Sequence, residues 1–439
     1  MSEGTRLILA LVIGLGVVIF LIMKSKVQAF PALLISAVTV GLIGGLSAKE
    51  TMDTIAGGFG STLSSIGIVI GLGVMMGKIL EVTGAAKKMA MSILKIVGVE
   101  RTDLVLGLSG WLVSIPVFCD SGFVILSELA KEFSRDTKKS MVQLGCALGI
   151  GLYLTHHLVP PTPGPLAVAG IFGVTVGQLI IFGVGISLLM LLILLPISRV
   201  IASKNEVIIP ERSKEALDNF NEDELPSGML SFAPIVVPLI LILMNTGLAA
   251  LGTSNPIIDV VGNPICAVLI GLLIAVYGLT KGKDREEVVG ILEDSLSDAG
   301  LIIMITGSGG ALGTILRVSG IGDHVATLIS QSGFPPLLVP LVMGSLLKLA
   351  QGSGTVAMIT TAGIVAPMTA TLGLNPLIGC LAVCIGPMCA SYFNDSFFWV
   401  VTKFSGMSVE TGIKSWTSLT AVSGLVGAVL LFILNIFIG

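Results

Sequence analysis

Four stretches of this chain, Leu7 to Met23, Met229 to Ile258, Ala299 to Leu316 and Ser415 to Gly439, contain no ionisable side chain. Each reaches or approaches the ~20 apolar residues that cross a hydrocarbon core. They constrain the chain to an all-α polytopic membrane fold. Charged residues make up 12% of the sequence, about half the roughly 25% of a soluble domain, and the mean hydropathy is +1.01. The first run reads as a retained span, because Lys24 and Lys26 follow it where a cleaved signal would carry small residues. Six cysteines (119, 146, 266, 380, 384 and 389) lie in apolar segments without zinc-site spacing, so buried free thiols and no metal or cofactor are expected. No basic patch interleaved with aromatics supports nucleic-acid binding.

The positive residues fix an orientation. They cluster at Lys24 and Lys26, Lys87 to Arg101, Lys131 to Lys139, Arg199 to Lys214, Lys281 to Arg285, and Lys403 with Lys414. Placing all of these clusters in the cytoplasm puts the N-terminus in the periplasm. Spans follow near 6–24, 28–47, 57–83, 140–172, 177–199, 229–251, 263–280, 299–318, 376–404 and 414–437. Segments 102–138 and 336–372 must leave and return on the same side, the first from the cytoplasm and the second from outside. Arg6, Lys49 and Arg317 fall on the outer side, and Lys348 lies inside a hairpin. The acidic and basic stretch over 201–228 reads as a solvated cytoplasmic linker between halves.

The sequence also repeats. Gly71 to Gly84 laid on Gly307 to Gly320 at an offset of 236 gives seven identities in fourteen positions. At an offset of 232, Ser121-Gly122 falls on Ser353-Gly354 and Thr162 falls on Asn394. The first copy runs into a lysine cluster and the second into a stretch free of Lys and Arg until Lys348, so the two point opposite ways. Inverted repeats of this kind build many secondary transporters. The organisation expected is 1–56 as N-terminal helices, 57–200 as the first repeat, 201–228 as linker, 229–282 as connecting helices and 283–439 as the second repeat. The repeats hold hairpins 102–138 and 336–372 and broken helices 140–172 and 376–404.

Helix breaks stand at matched places in both halves: Ile115 to Gly122, Leu158 to Pro165, Ala350 to Thr355 and Ala390 to Ser396. Proline removes a donor and glycine permits a tight turn. Non-helical backbone at membrane depth survives only where protein buries it or water reaches it, so these tips should face one another around a hydrated cavity. Half-helix starts would aim unpaired N–H groups there, suited to a carboxylate or a hydroxyl-bearing solute. Asp120, His156, Lys348 and Asp395 all fall at the breaks, where an ionisable group is a functional candidate. Each also has a structural alternative: helix capping for Asp120 and Asp395, a packed histidine for His156, and a pairing with a carboxylate of the opposite half for Lys348. His157 reads as core and His324 as part of an outer loop.

The chain resembles the gluconate permease family of proton symporters, within the wider ion-transporter superfamily. The resemblance rests on Gly57 to Leu63, Phe118 to Phe123, Thr155-His156 with Pro160-Pro161 and Pro163-Gly164-Pro165, Gly352-Ser353, Thr355 to Ala357, Asn394-Asp395 and Ile413 to Trp416. It implies proton-coupled uptake of a sugar acid or short hydroxy acid across the bacterial inner membrane. It also implies a scaffold with a mobile domain, a homodimer and alternating access. Three positions depart from the gluconate-type pattern. Asp120-Ser121-Gly122 stands for a Glu-Val-Gly, Thr162 for a histidine, and Lys348 for an arginine, whose bidentate fork lysine lacks. Gluconate, glycerate and D-serine therefore all stay open as solutes.

In the resulting mechanism the solute carboxylate docks at Ser121-Gly122 and Ser353-Gly354, with Lys348 as counter-charge. Thr162, Gly164, Gln351, Gly352, Thr355 and Asn394 complete the binding set. Asp120, His156 or Asp395 carries the proton, since burial and neighbouring charge bring such groups into the working range. Sodium coupling is the alternative within transport, because unwound carbonyls beside Ser, Thr and Asn also suit Na⁺. An ion channel, from a different class, would need a continuous lined pore. An intramembrane enzyme has no support, as His156-His157 lacks a glutamate at zincin spacing.

Overall fold

The computed structural model describes residues 3–202, 207, 225–392 and 395–438. Among them the chain forms twenty α-helices and no strand. The 201–228 linker therefore lies mostly outside the described residues, as does Asn394.

Helices α1 (Glu3–Met23) and α2 (Ala29–Gly44) pack together ahead of α3 (Ala48–Val82). Helix α3 starts on a capping box, in which Ser47 and Glu50 each accept the other's backbone N–H at 3.2 Å. Then follow α4 (Ala85–Val97), α5 (Thr102–Val113), α6 (Cys119–Thr137), α7 (Met141–Leu158), α8 (Pro163–Phe172) and α9 (Val176–Ala202). The middle of the chain supplies α10 (Gly228–Ala250), α11 (Pro256–Val261) and α12 (Pro264–Ile274), the last continuing as a π turn through Leu279. The second half runs α13 (Arg285–Val318), α14 (Ile321–Gln331), α15 (Leu338–Gln351), α16 (Gly354–Val365), α17 (Pro376–Ile385), α18 (Ser396–Phe404), α19 (Val409–Gly412) and α20 (Ser418–Ile438).

The order of helices recurs. Helices α3 and α13 end at Val82 and Val318, and each is closed by a glycine in the left-handed region, Gly84 at φ 74° and Gly320 at φ 71°. That conformation is open to glycine without steric cost, which accounts for the identity at the end of the aligned segments. Helices α4 and α14 restart at Ala85 and Ile321, still 236 residues apart, and α5 and α15 at Thr102 and Leu338, again 236 apart.

Three features differ from the sequence expectation. Among the described residues, six helical segments are long and apolar enough to cross a bilayer alone, or seven if α3, bent by 47° between Ser64 and Gly67, is one span; ten were expected. The shortfall comes from brevity and breaks: α2 has 16 residues, about 24 Å at 1.5 Å per residue, and α17 and α18 are separated by a 3₁₀ turn and an extended stretch. Helices α3 and α13 begin earlier than expected, at 35 and 34 residues long. Finally, His324 lies on helix α14 rather than in a loop, close against Gly4 of α1.

Helix α7 is the centre of the molecule, buried at every residue except Gln143. A helix apolar all round needs neighbours on all sides, and glycines let them come close. Gly151 lies against the Gly107 carbonyl of α5, Gly110 of α5 lies against the Leu148 carbonyl, and Gly149 lies against the Trp416 ring. Helix α5 is further tied to α9 by Trp111 Nε1 donating to Ser187 Oγ at 2.9 Å and by the Asp103–Arg199 ion pair.

Candidate functional site

All four helix breaks approach α7. In the first, 114–118 turns the chain between α5 and α6, with the Ser114 hydroxyl donating to the Val117 carbonyl at 3.2 Å. The second, 159–162, separates α7 from α8. The third is Gly352-Ser353, where Gly352 takes φ 82° and Ser353 Oγ accepts the Val356 N–H at 3.3 Å to cap α16. At the fourth, Asp395 Oδ1 accepts the Phe397 N–H at 3.3 Å and caps α18.

The polar groups of the fourth break are anchored rather than left bare. Ser391 receives a bond from Trp416 Nε1 at 2.9 Å, donates its N–H to Thr420 Oγ1 at 3.0 Å, and accepts from Thr417 Oγ1 at 2.6 Å on its carbonyl. Trp416 is fully buried and packs edge-on against Tyr153 and Phe397, whose rings stack on each other at 6.0 Å. This aromatic cluster holds the start of α18 against α7. Trp416→Phe keeps most of the ring contact and strands the Ser391 hydroxyl. It is expected to cost about 1 kcal/mol, read as a lower unfolding midpoint of the purified protein in detergent.

Asp120, His156, Lys348, Ser353, Gly354, Thr355 and Asp395 line one cavity of about 210 Å³, room for about seven waters at ~30 Å³ each. Contacts across it exchange partners between halves. The Ser396 hydroxyl of α18 donates to Asp120 Oδ1 on α6 at 3.4 Å, while Thr355 Oγ1 of α16 meets His156 Nε2 on α7 at 3.3 Å. Gly354 sits so close to His157 that a Cβ there would fall 2.3 Å from its Nε2.

Lys348 is 1% exposed. Its ammonium contacts Asp395 Oδ2 at 2.7 Å and donates to the Gly352 carbonyl at 2.5 Å. The pairing is thus within the second half, not with a carboxylate of the first, and it occupies the charge expected to face the solute. Asp395 serves two groups at once, the cap and the ammonium. Asp120, half-buried, has a hydroxyl rather than a cation as partner among the described residues.

Other expected residues stand apart from the cavity. Ser121 lines a small void beside Lys78 and Glu81. Gly122 packs on Leu152, and Gly164 packs on Met358. The Thr162 hydroxyl donates to the Val159 carbonyl within its own break. Gly352 supplies its carbonyl to Lys348; the side chain of Gln351, the last residue of α15, lies outside the described ones. Conversely, Tyr153, His157 and Ser396 line the cavity, although the sequence placed His157 in the core and gave Tyr153 and Ser396 no binding role. Tyr153 and His157 share a face of α7 at a spacing of four, with His157 Nδ1 on the Tyr153 carbonyl at 2.9 Å. Ser396 adjoins the cap Asp395, where a side chain at the start of a helix reaches the break; both signals were in the sequence.

A family model described as GntP family permease matches residues 6–437. The chain belongs to the GntP permease family. Among its relatives are an uncharacterized permease of Haemophilus influenzae, 41% identical over 98% of this chain and 93% of that one, and the gluconate permease of Pseudomonas aeruginosa, 33% identical over 99% of each. The Gnt-II system L-idonate transporter of Escherichia coli is 30% identical over 94% of this chain and 96% of its own. The solved YdaH transporter of Alcanivorax borkumensis shares the fold, with a TM-score of 0.68 and 16% identity over 92% of this chain and 96% of that one. This GntP-family chain is therefore a multi-pass membrane permease rather than an enzyme.

Proposed function

We propose that this permease carries a small hydroxylated carboxylate, of the gluconate and idonate type named for its relatives, into the cell together with a proton. The observation that carries the proposal is the exchange of contacts around one cavity, Asp120 with Ser396 and His156 with Thr355. The start of α16 at Ser353, Gly354 and Thr355 offers backbone donors and a helix dipole to the solute carboxylate. Lys348 and Asp395 neutralise each other, so Asp120 is the charge that the arriving anion meets. Like charges repel, and the anion seats readily only once Asp120 takes a proton. Binding of the two is then coupled.

Alternating access follows if the hairpins α5–α6 and α15–α16 shift against α7, breaking and remaking these contacts. Opposed orientation of the two repeats, a periplasmic N-terminus, the inner membrane and a homodimer belong to the same proposal.

In proteoliposomes, Asp120→Asn is expected to reduce pH-driven accumulation of gluconate at least tenfold while counterflow exchange continues. Uptake by the unaltered protein in sodium-free buffer separates proton from sodium coupling. Full proton-driven accumulation by Asp120→Asn would overturn the assignment of Asp120.

A further inference from the structure

A second, larger cavity of about 640 Å³ lies away from the four breaks. Helix α13 lines both, and α16 runs from the central cavity into the turn that lines the second. At the central cavity they present Ile305 and Ile359; at the second, Thr314 and Arg317 of α13 and Ala366 and Thr369 of the turn that continues α16. The two helices run side by side in the same direction, since Gly309 meets Ile359 and Gly313 meets Gly363 four residues further along each. The step from Ile305 to Thr314 is nine residues, about 14 Å at 1.5 Å per residue. Between the cavities the backbones close on each other: a Cβ on Gly363 would fall 2.4 Å from the Gly309 carbonyl.

Arg317 is exposed and is the one charged side chain among the described residues lining the second cavity. It is also one of the few cations that the charge map leaves outside the cytoplasm. Around it stand hydroxyls already committed as donors. Ser61 gives its proton to the Gly58 carbonyl at 3.2 Å, Thr314 to Gly310 at 2.9 Å and Thr369 to Ala366 at 2.8 Å. Each hydroxyl oxygen still has lone pairs with which to accept a hydrogen bond. Asp323, on neighbouring α14, is held by the Thr371 hydroxyl at 2.7 Å and does not line the cavity.

We propose that this cavity is an entry vestibule that collects hydroxylated carboxylates before the central site. Arg317 draws the carboxylate, and the oxygens of Ser61, Thr314 and Thr369 accept hydrogen bonds from solute hydroxyls, so a polyhydroxy acid is favoured over a plain one. The identity of the solute rests on the function proposed above; the collection of anions rests on the vestibule alone.

Two measurements test it. Arg317→Gln should raise the KM for gluconate uptake about fivefold, the order of one partly solvated charge contact, with the maximal rate unchanged and most of the effect restored by Arg317→Lys. An unchanged KM in a protein that transports gluconate overturns the vestibule. The second uses Ala370→Cys, an exposed lining position. An anionic thiosulfonate should modify the introduced thiol faster than a cationic one, Arg317→Gln should erase that preference, and gluconate should slow the labelling. If the unaltered protein transports no hydroxy acid, the functional reading fails, and the charge preference of that thiol alone supports or overturns the collection of anions.

Discussion

Lys348→Met is expected to destabilise the protein by about 3–5 kcal/mol, the cost of leaving one partner of a buried ion pair without the other. Asp395 is 6% exposed at its side chain, and the Lys348 ammonium is its partner at 2.7 Å. Asp395→Asn should cost less, because the amide oxygen can still cap the Phe397 N–H that Asp395 Oδ1 now accepts at 3.3 Å. The double change Lys348→Met with Asp395→Asn should recover most of the lost stability, since exchanging both members of a buried pair for uncharged groups is often neutral. Unfolding midpoints of the four purified proteins in detergent decide this. A single Lys348→Met as stable as the parent would show that the pair is not holding the fold. Transport should stay lost in the folded double variant if the transport cycle proposed above moves the pair, which joins helix α15 to the break before α18. Gluconate uptake at parental rate by that variant would reduce the pair to a structural tie.

The helix breaks were legible because proline and glycine act locally, and so were the buried charges, because their rarity in apolar sequence marks them. Which charge meets which was not legible. Lys348 and Asp395 are 47 residues apart, and their contact depends on how α15 lies beside α18. The cavity lining was legible only in part for the same reason. Ser353 and Thr355 share a helix start and came together, whereas Thr162, expected to meet solute hydroxyls, turned its own hydroxyl onto its break, and Ser396 reaches Asp120. The cut within 376–404 was legible too: the backbone at 390–392 is not helical, inside the break that the sequence marks from Ala390 to Ser396. Charge bias along the chain could not reveal the length of α3 and α13, since Lys49 and Arg285 sit within the first turns of helices that run past them.

Gly151→Ala is expected to cost about 3 kcal/mol, at the top of the usual range for overpacking, and to impair transport more than its distance from the cavity suggests. The added Cβ would fall 2.1 Å from the Gly107 carbonyl oxygen and 2.9 Å from the Trp111 amide nitrogen. Both are backbone atoms of α5, so no side chain can turn aside, and α5 must move from α7 as a body. That motion strains the bond from Thr155 Oγ1 to the Trp111 carbonyl, 2.8 Å long, in the residue immediately before His156. It carries the turn ahead of Asp120 with it, because α5 feeds that turn directly. Gly60→Ala is the control: nothing lies within 4 Å of its Cβ, and a helix gains up to about 1 kcal/mol from alanine over glycine. Thermal unfolding and gluconate uptake of the two variants should therefore diverge, Gly60→Ala matching or exceeding the parent and Gly151→Ala losing on both. Equal behaviour would mean that α5 and α7 can separate without disturbing the site, and that the first hairpin is not held in place by this glycine contact.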